Sequence, residues 1–350
     1  ILSVRNFNMK NKITSKDIAQ RANVSQATVS YVLNDTPGKS ISESTRKRVL
    51  DAVTELNYIP NSAAKRLKNS RSYCIAVRLA TTLNAPRYYN AMQGIRSYLE
   101  PKGYSILLCN DQRCGNTFNY IDACMNTLTD GIIYVSSNHS DVSPEALEQI
   151  KAYNIPFSTI DCMAEDSAIN SITYDYFASS YLRADYLLNK GFKKFIYIRP
   201  NYTNAKETAR ERGFRAVMVG HDDLQFEIFH IEGIDVNSST YSKDNKFFEV
   251  ERANIQVVKN LVNSVSLDTC FICSSREVQQ SVSQKLHDQH LLLQSEETAH
   301  WYERSISYHF PHYDAGFESA RSLLNIIDSK NGVRKLTLQP VIEPTDPAVF

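Results

Sequence analysis

Residues Ile13–Asn34 read ITSKDIAQRANVSQATVSYVLN, and the reading of the chain starts there. Thr14 offers a side-chain oxygen just ahead of a helical pattern, and Asp17 stands three positions on, as in a capping box. Ile18 and Ala19 supply the inward face of a short first helix. Arg21-Ala22-Asn23-Val24 then makes a tight turn, because Asn tolerates a left-handed backbone and Val24 turns back into the core. Ser25 caps a second helix running to about Asn34. Val29, Val32 and Leu33 seal one face of it inward, while Gln26, Ala27, Ser30 and Tyr31 look the other way.

A third helix follows. Ile41 staples its start, Ser42 caps it, and Val49, Leu50, Val53 and Leu56 are expected as its buried stripe, with Arg46, Lys47 and Arg48 outside. Three short helices with a tight turn and an exposed polar second helix form a helix-turn-helix. Gln26 is suited to bond adenine bidentately in the major groove, and Ala27 and the Thr28 methyl to meet a thymine methyl. Thr14, Ser15, Lys16 and Asn34 are placed to hold phosphates and fix the register. Asn57-Tyr58-Ile59-Pro60-Asn61 ends the third helix, and Ser62–Lys68 is a turn or two of helix with one large apolar side chain, Leu67. So short a helix is marginal alone in water. Minor-groove DNA would stabilise it, with Leu67 wedged between base steps and Lys65, Arg66 and Lys68 on phosphates.

The charge distribution agrees. The whole chain of 350 residues carries a net charge of +1, but residues 1–72 hold 13 Lys+Arg against 5 Asp+Glu, a net of +8, and the rest is −7. A basic head on an acidic body assigns contact with a polyanion to the head. The length predicts two or three domains. Seven cysteines without disulfide spacing point to a reducing cytosol. Cys270-x-x-Cys273 lies in DTCFICSS, which reads as a buried strand rather than a metal or redox pair. No apolar run is long enough for a transmembrane helix. The start has no signal-peptide pattern, and Met9 is read as a start with Ile1–Asn8 upstream of it.

After Asn69–Ser72 the pattern changes to alternating strands and helices. Strands are expected at Cys74–Leu79, Tyr104–Cys109, Gly131–Val135 and Pro156–Ile160, with helices Tyr88–Leu99, Phe118–Leu128 and Pro144–Tyr153 between them. A second round places strands at Lys194–Ile198, Gln225–Ile231 and Thr269–Cys273, and helices at Ala178–Leu188, Ala205–Val219, Phe248–Val262 and Glu277–His287. Such alternation predicts doubly wound parallel sheets. The chain has no G-x-G-x-x-G, Walker or G-x-S-x-G motif. His287 and His290 have no matching third ligand, so no enzyme activity, metal or cofactor is expected.

The segments T-S-K-D-I-A…A-N-V-S-Q-A-T-V-S-Y-V-L-N and S-T-R-K-R-V-L-D-A-V-T-E-L-N-Y-I-P-N-S-A-A-K-R-L-K resemble the head of the LacI/GalR family of bacterial repressors. The likeness is most specific over residues 13–68. It implies an all-α helix-turn-helix domain over 9–60, a hinge helix and linker over 61–72, and a two-lobed α/β body like a periplasmic binding protein over 73–350. The first lobe is expected at about 73–172 plus a returning segment near 301–330, and the second at about 173–300 plus the C-terminal segment. The resemblance makes Gln26, Ala27, Thr28, Ser30 and Tyr31 the major-groove readers, and Leu67 the minor-groove wedge with Ala64 and Lys68 beside it. Many members carry Arg where this chain has Tyr31, so no guanine contact is carried over.

For the cleft between lobes, the resemblance points to Asp161, Arg210, Arg87 and Tyr88 as effector-binding positions. Where the family has Asn-Asp, this chain has Ser275-Arg276, and the aspartate common after the first strand is missing from RLATTLNAPRYY. Arg210 and Arg276 facing one cleft would favour an anionic or phosphorylated sugar-related effector. The resemblance implies a homodimer acting on a double-stranded, pseudo-palindromic operator. The alternative keeps the DNA-binding head but places the body under a protein partner.

Overall fold

The computed structural model describes residues 13–33, 38–58, 71–79, 86–136, 141–162, 166, 169–232, parts of 253–278, 293–294, 307–330 and 334–343. The chain divides into two compact units, Ile1–Ser72 and Tyr73–Phe350.

In the first unit, helices α1 (Ser15–Ala22), α2 (Gln26–Leu33) and α3 (Glu43–Glu55) close on Ile18, Ala19, Ala22, Val29, Val32, Val49 and Ala52. Thr14 N-caps α1 in a full capping box with Asp17, and Asn23 ends the helix at φ 51. Ser42 accepts the Thr45 N–H at the start of α3. Two expectations fail on α3, the first at Leu50, which is 46% exposed. The inward stripe of α3 is Val49, Ala52, Val53 and Leu56, spaced at i, i+3, i+4 and i+7, and Leu50 stands about 100° away from it. Arg46 is half-buried rather than outside.

The second unit holds two parallel sheets. The first contains β1 (Cys74–Leu79), β2 (Ser105–Cys109), β5 (Ile132–Val135), β6 (Phe157–Ile160), β7 (Asn170–Tyr174) and β13 (Lys335–Leu338), in the order β13-β7-β6-β5-β1-β2. A two-residue hairpin pair, β3 (Arg113–Cys114) and β4 (Thr117–Phe118), lies between β2 and β5 in the chain. Every residue of β1 is buried, as both faces of a doubly wound sheet require. Helices α4 (Pro86–Leu99) and α9 (His312–Ile327) contribute to a core containing Ile75, Val77, Ile95 and Leu323. Helices α5 (Asn119–Met125) and α6 (Pro144–Ala152) cover the other face, over Ala76, Ile132 and Tyr134.

The second sheet is β11-β10-β8-β9, from β8 (Lys194–Pro200), β9 (Gln225–Ile231), β10 (Thr269–Cys273) and β11 (Leu293–Gln294). Helices α7 (Tyr176–Asn189) and α8 (Ala205–Met218) pack on one side, around Tyr197, Phe214 and Ile272. The described positions within Phe248–Val262 are helical, and Glu277–His287 lies almost wholly outside the described residues. A short antiparallel pair joins β12 (Ser307–His309) to β14 (Val341–Glu343).

The C-terminal segment departs from expectation. It is expected with the second lobe, yet β13 pairs in parallel with β7, Lys335 beside Ser171 through Leu338 beside Tyr174. The expected limit at 172 also cuts through β7. Neither carries the apolar run of a strand such as β1: β7 opens on Asn170-Ser171, and the four residues of β13 include Lys335 and Thr337.

The α4–α9 crossing depends on two glycines. A Cβ on Gly94 would lie 1.9 Å from the Tyr313 carbonyl oxygen, and one on Gly316 would lie 2.0 Å from that of Ala91. The obstacles are backbone, which has no rotamer to change. Gly316→Ala is expected to destabilise the body by about 1–3 kcal/mol through overpacking. A urea midpoint unchanged from wild type would show that the helices separate freely.

Candidate functional site

Two groupings of side chains stand out, one in each unit. In the head, Ser25 Oγ accepts the Thr28 N–H at 3.1 Å and starts α2. Burial of Val29 and Val32 turns Gln26 and Ala27 fully outward, with Thr28, Ser30 and Tyr31 half-buried beside them. Lys39 Nζ lies 5.5 Å from the centre of the Tyr31 ring. At the start of α1, the Thr14 hydroxyl and backbone N–H both reach Asp17 Oδ2 at 2.7 Å. These bonds, the hydroxyl's first, hold the Asp17 carboxyl below its usual range. Ser15 is half-buried and Lys16 exposed on the same turn. Asn34, Ala64, Lys65, Arg66, Leu67 and Lys68 lie outside the described residues.

The second grouping joins the two sheets. Asp161 follows β6 directly and takes a left-handed backbone, φ 61, with its N–H donating to Ile172 O at 2.7 Å. Its Oδ1 accepts the Tyr176 hydroxyl at 2.6 Å, and Tyr176 opens α7 just after the chain leaves β7. From α8, Lys206 Nζ stands 3.1 Å from Asp161 Oδ2 and donates to the Asp161 carbonyl at 2.6 Å. One turn on, Arg210 donates to Glu207 Oε1 at 2.7 Å and lies 4.1 Å over the Tyr176 ring. Tyr176 also meets Phe310 edge-on. Phe310 stacks on Tyr174, whose hydroxyl contacts His312 Nδ1 at 2.7 Å. Tyr176, just past β7, therefore meets Phe310, just ahead of α9.

Asp161, Lys206, Glu207 and Arg210 are 5%, 2%, 0% and 1% exposed. Two cations and two anions thus neutralise one another in a setting where an unpaired charge is strongly disfavoured. The second Glu207 oxygen and the Ser274 hydroxyl just past β10 are buried without a hydrogen-bond partner among the described residues. Burial pushes the Tyr197 ionisation up. Deeper in the same lobe Arg183 holds the Cys273 carbonyl at 2.8 Å and Ser180 Oγ at 3.0 Å.

Of the expected effector residues, Asp161 and Arg210 come together through Tyr176. Arg87 and Tyr88 form a grouping of their own at the start of α4: Arg87 Nη2 donates to the Tyr88 hydroxyl at 3.1 Å, and Tyr88 belongs to the first-sheet core. Arg276 lies outside the described residues. Cys270 and Cys273 are buried in β10 and belong to the cores on opposite faces of its sheet. An i, i+3 spacing in a strand points two side chains apart, and burial raises both thiols. Among the described residues no three His, Cys, Asp or Glu side chains gather as metal ligands, and no helix is long and apolar enough to cross a membrane.

Lys206, Glu207 and Tyr176 are absent from the expected site. The run AKETARER does show charges at i, i+3 and i+4 on one helix. That pattern ordinarily marks a solvated face, and nothing in it signals a partner 45 residues away at Asp161.

The profile described as "Bacterial regulatory proteins, lacI family" matches residues 14–61. The one described as "Periplasmic binding proteins and sugar binding domain of LacI family" matches residues 75–243. The chain is 26% identical over 327 residues to the HTH-type transcriptional repressor PurR of Actinobacillus pleuropneumoniae serotype 5b (strain L20), covering 93% of this chain and 89% of that protein. It is 32% identical over 226 residues to the HTH-type transcriptional regulator RegA of Clostridium saccharobutylicum, covering 64% and 66% of the two. The crystal structure of the Lac repressor dimer bound to operator and the anti-inducer ONPF superposes with a TM-score of 0.68 at 19% identity, covering 95% of this chain and 98% of that one. The helix-turn-helix head, the two-sheet body and these matches identify the chain as a member of the LacI family of DNA-binding transcription regulators.

Proposed function

We propose that the protein is a repressor that binds a pseudo-palindromic operator as a homodimer, with its affinity set by a small sugar-related effector between the two sheets. The observation that carries the DNA-reading half is α2, where Gln26 and Ala27 are exposed while Val29 and Val32 are buried. Thr14, Ser15, Lys16 and Asn34 hold phosphates, Gln26, Ala27, Thr28, Ser30 and Tyr31 read base edges, and Leu67 enters the minor groove with Ala64, Lys65 and Lys68 around it. The structural relative with operator and anti-inducer is a dimer, which supports a two-fold arrangement on two half-sites. Selection of operators from random duplex DNA tests this reading, and recovery of no paired half-sites would reject it. Gln26→Ala is expected to weaken the selected operator by about 1–3 kcal/mol while leaving non-specific binding unchanged.

For the effector, the buried second oxygen of Glu207 and the Ser274 hydroxyl suit a molecule rich in hydroxyl or N–H donors. Arg210 is already paired with Glu207, so an anionic or phosphorylated effector would rest on Arg276, Arg87 or an exchange of partners. In a second reading, a protein partner rather than a small molecule controls the body. A thermal-shift screen of the full chain with neutral sugars, phosphorylated sugars and carboxylates separates the readings. Stabilisation by none of the three classes favours the protein partner.

A further inference from the structure

Lysine is almost never fully buried, since its ammonium is strongly hydrated and its stem loses much rotamer freedom. Lys206 is nonetheless 2% exposed, and its ammonium ends on Asp161 twice, on the carboxylate and on the carbonyl. The other pair buried on both sides, Arg210–Glu207, stays within α8, and buried Arg78 pairs with exposed Asp111 at the first sheet. Lys206–Asp161 instead links the first turn of α8, on the second sheet, to the end of β6, in the first. Asp161 is shaped for the contact. Its left-handed φ of 61 is uncommon for a residue with a side chain, and the Tyr176 hydroxyl fixes the carboxylate from the other side.

Resting on the reading of the body as an effector-binding module, we propose that Lys206 is a built-in ligand. It ties the two sheets together before any effector arrives, and an effector acts by taking Lys206 off Asp161. A buried ion pair adds little net stability, because desolvation offsets the attraction, while removing one partner alone is strongly unfavourable. Exchange of partners avoids that penalty. The competent effector therefore carries a donor for Asp161, a hydroxyl or amine, and an acceptor for the released ammonium. The pair makes the effector-free state a defined conformation, against which effector binding is measured as a shift in operator affinity.

The test uses the full-length protein and an operator selected with wild type, without effector. Asp161→Asn and Lys206→Met are each expected to shift the operator Kd at least about fivefold and in the same direction. The double variant should shift it no further than the larger single change, because both remove the same ammonium–carboxylate attraction. Folded single variants within about twofold of wild type, or additive effects in the double variant, would overturn the proposal. If the variants do not fold, amine-reactive labelling of wild type read by mass spectrometry decides. Lys206 should label at least about tenfold more slowly than exposed Lys190, and equal rates would overturn the latch. A wild type that selects no operator would sink the DNA-binding reading, while the labelling would still judge the latch.

Discussion

Replacing Arg210 with Met is expected to lower the stability of the body by about 3–5 kcal/mol, the loss seen when one partner of a buried pair is removed. Glu207 is fully buried, and Arg210 supplies the charge against its Oε1 at 2.7 Å. Met retains most of the apolar stem and so isolates the charge effect from a cavity. The carboxylate left behind also loses the guanidinium that now lies over the Tyr176 ring, so Tyr176 loosens as well. The double variant Arg210→Met, Glu207→Gln should recover much of the loss, since a neutral amide is far less unfavourable in an apolar setting than an unpaired carboxylate. Urea unfolding of the three proteins measures both statements. A single variant within about 1 kcal/mol of wild type would show that water reaches Glu207 and that the pair is not buried in solution.

The second large effect belongs to the head. Ile18 is fully buried at the centre of a core drawn from only three short helices. Ile18→Ala is expected to cost about 2–5 kcal/mol, from lost transfer energy and the cavity left behind. A core in a unit this small rarely supplies more than roughly 3–5 kcal/mol in total, so the substitution consumes most of what the head has. The expected result is a divided protein. Proteolysis cleaves within residues 13–58 and operator binding is lost, while the unfolding midpoint of the body is unchanged. Operator affinity equal to wild type would mean that DNA or another part of the chain holds the head together.

The head was readable in detail because its determinants are local. Thr14 with Asp17, Asn23 at a left-handed turn and Ser25 ahead of α2 each act within a few residues, through backbone groups that must be satisfied at a helix end. Two positions of α3 differ there: Ala52 takes the inward place expected of Leu50, and Arg46 is half-buried. In the body, strands such as Cys74–Leu79, Gln225–Ile231 and Thr269–Cys273 coincide with their expected limits. Each is marked by apolar and β-branched residues between turn signals. Strands β7 and β13 gave no such signal, because Asn170, Ser171 and Thr173 in one and Lys335 and Thr337 in the other break the apolar run.

The sequence by itself determined the family, the helix-turn-helix with Gln26 and Ala27 on its outward face, and the alternation that builds two parallel sheets. Periodicity and capping carry that information, and both are read within one element. Only the tertiary structure decided what surrounds Asp161 and Arg210. Lys206 reaches Asp161 from the other sheet, and Glu207 reaches Arg210 from one turn away. Spacing along one helix suggests the Glu207–Arg210 pair, but nothing along the chain names a partner in another segment; burial chooses it, by making every unpaired alternative unfavourable.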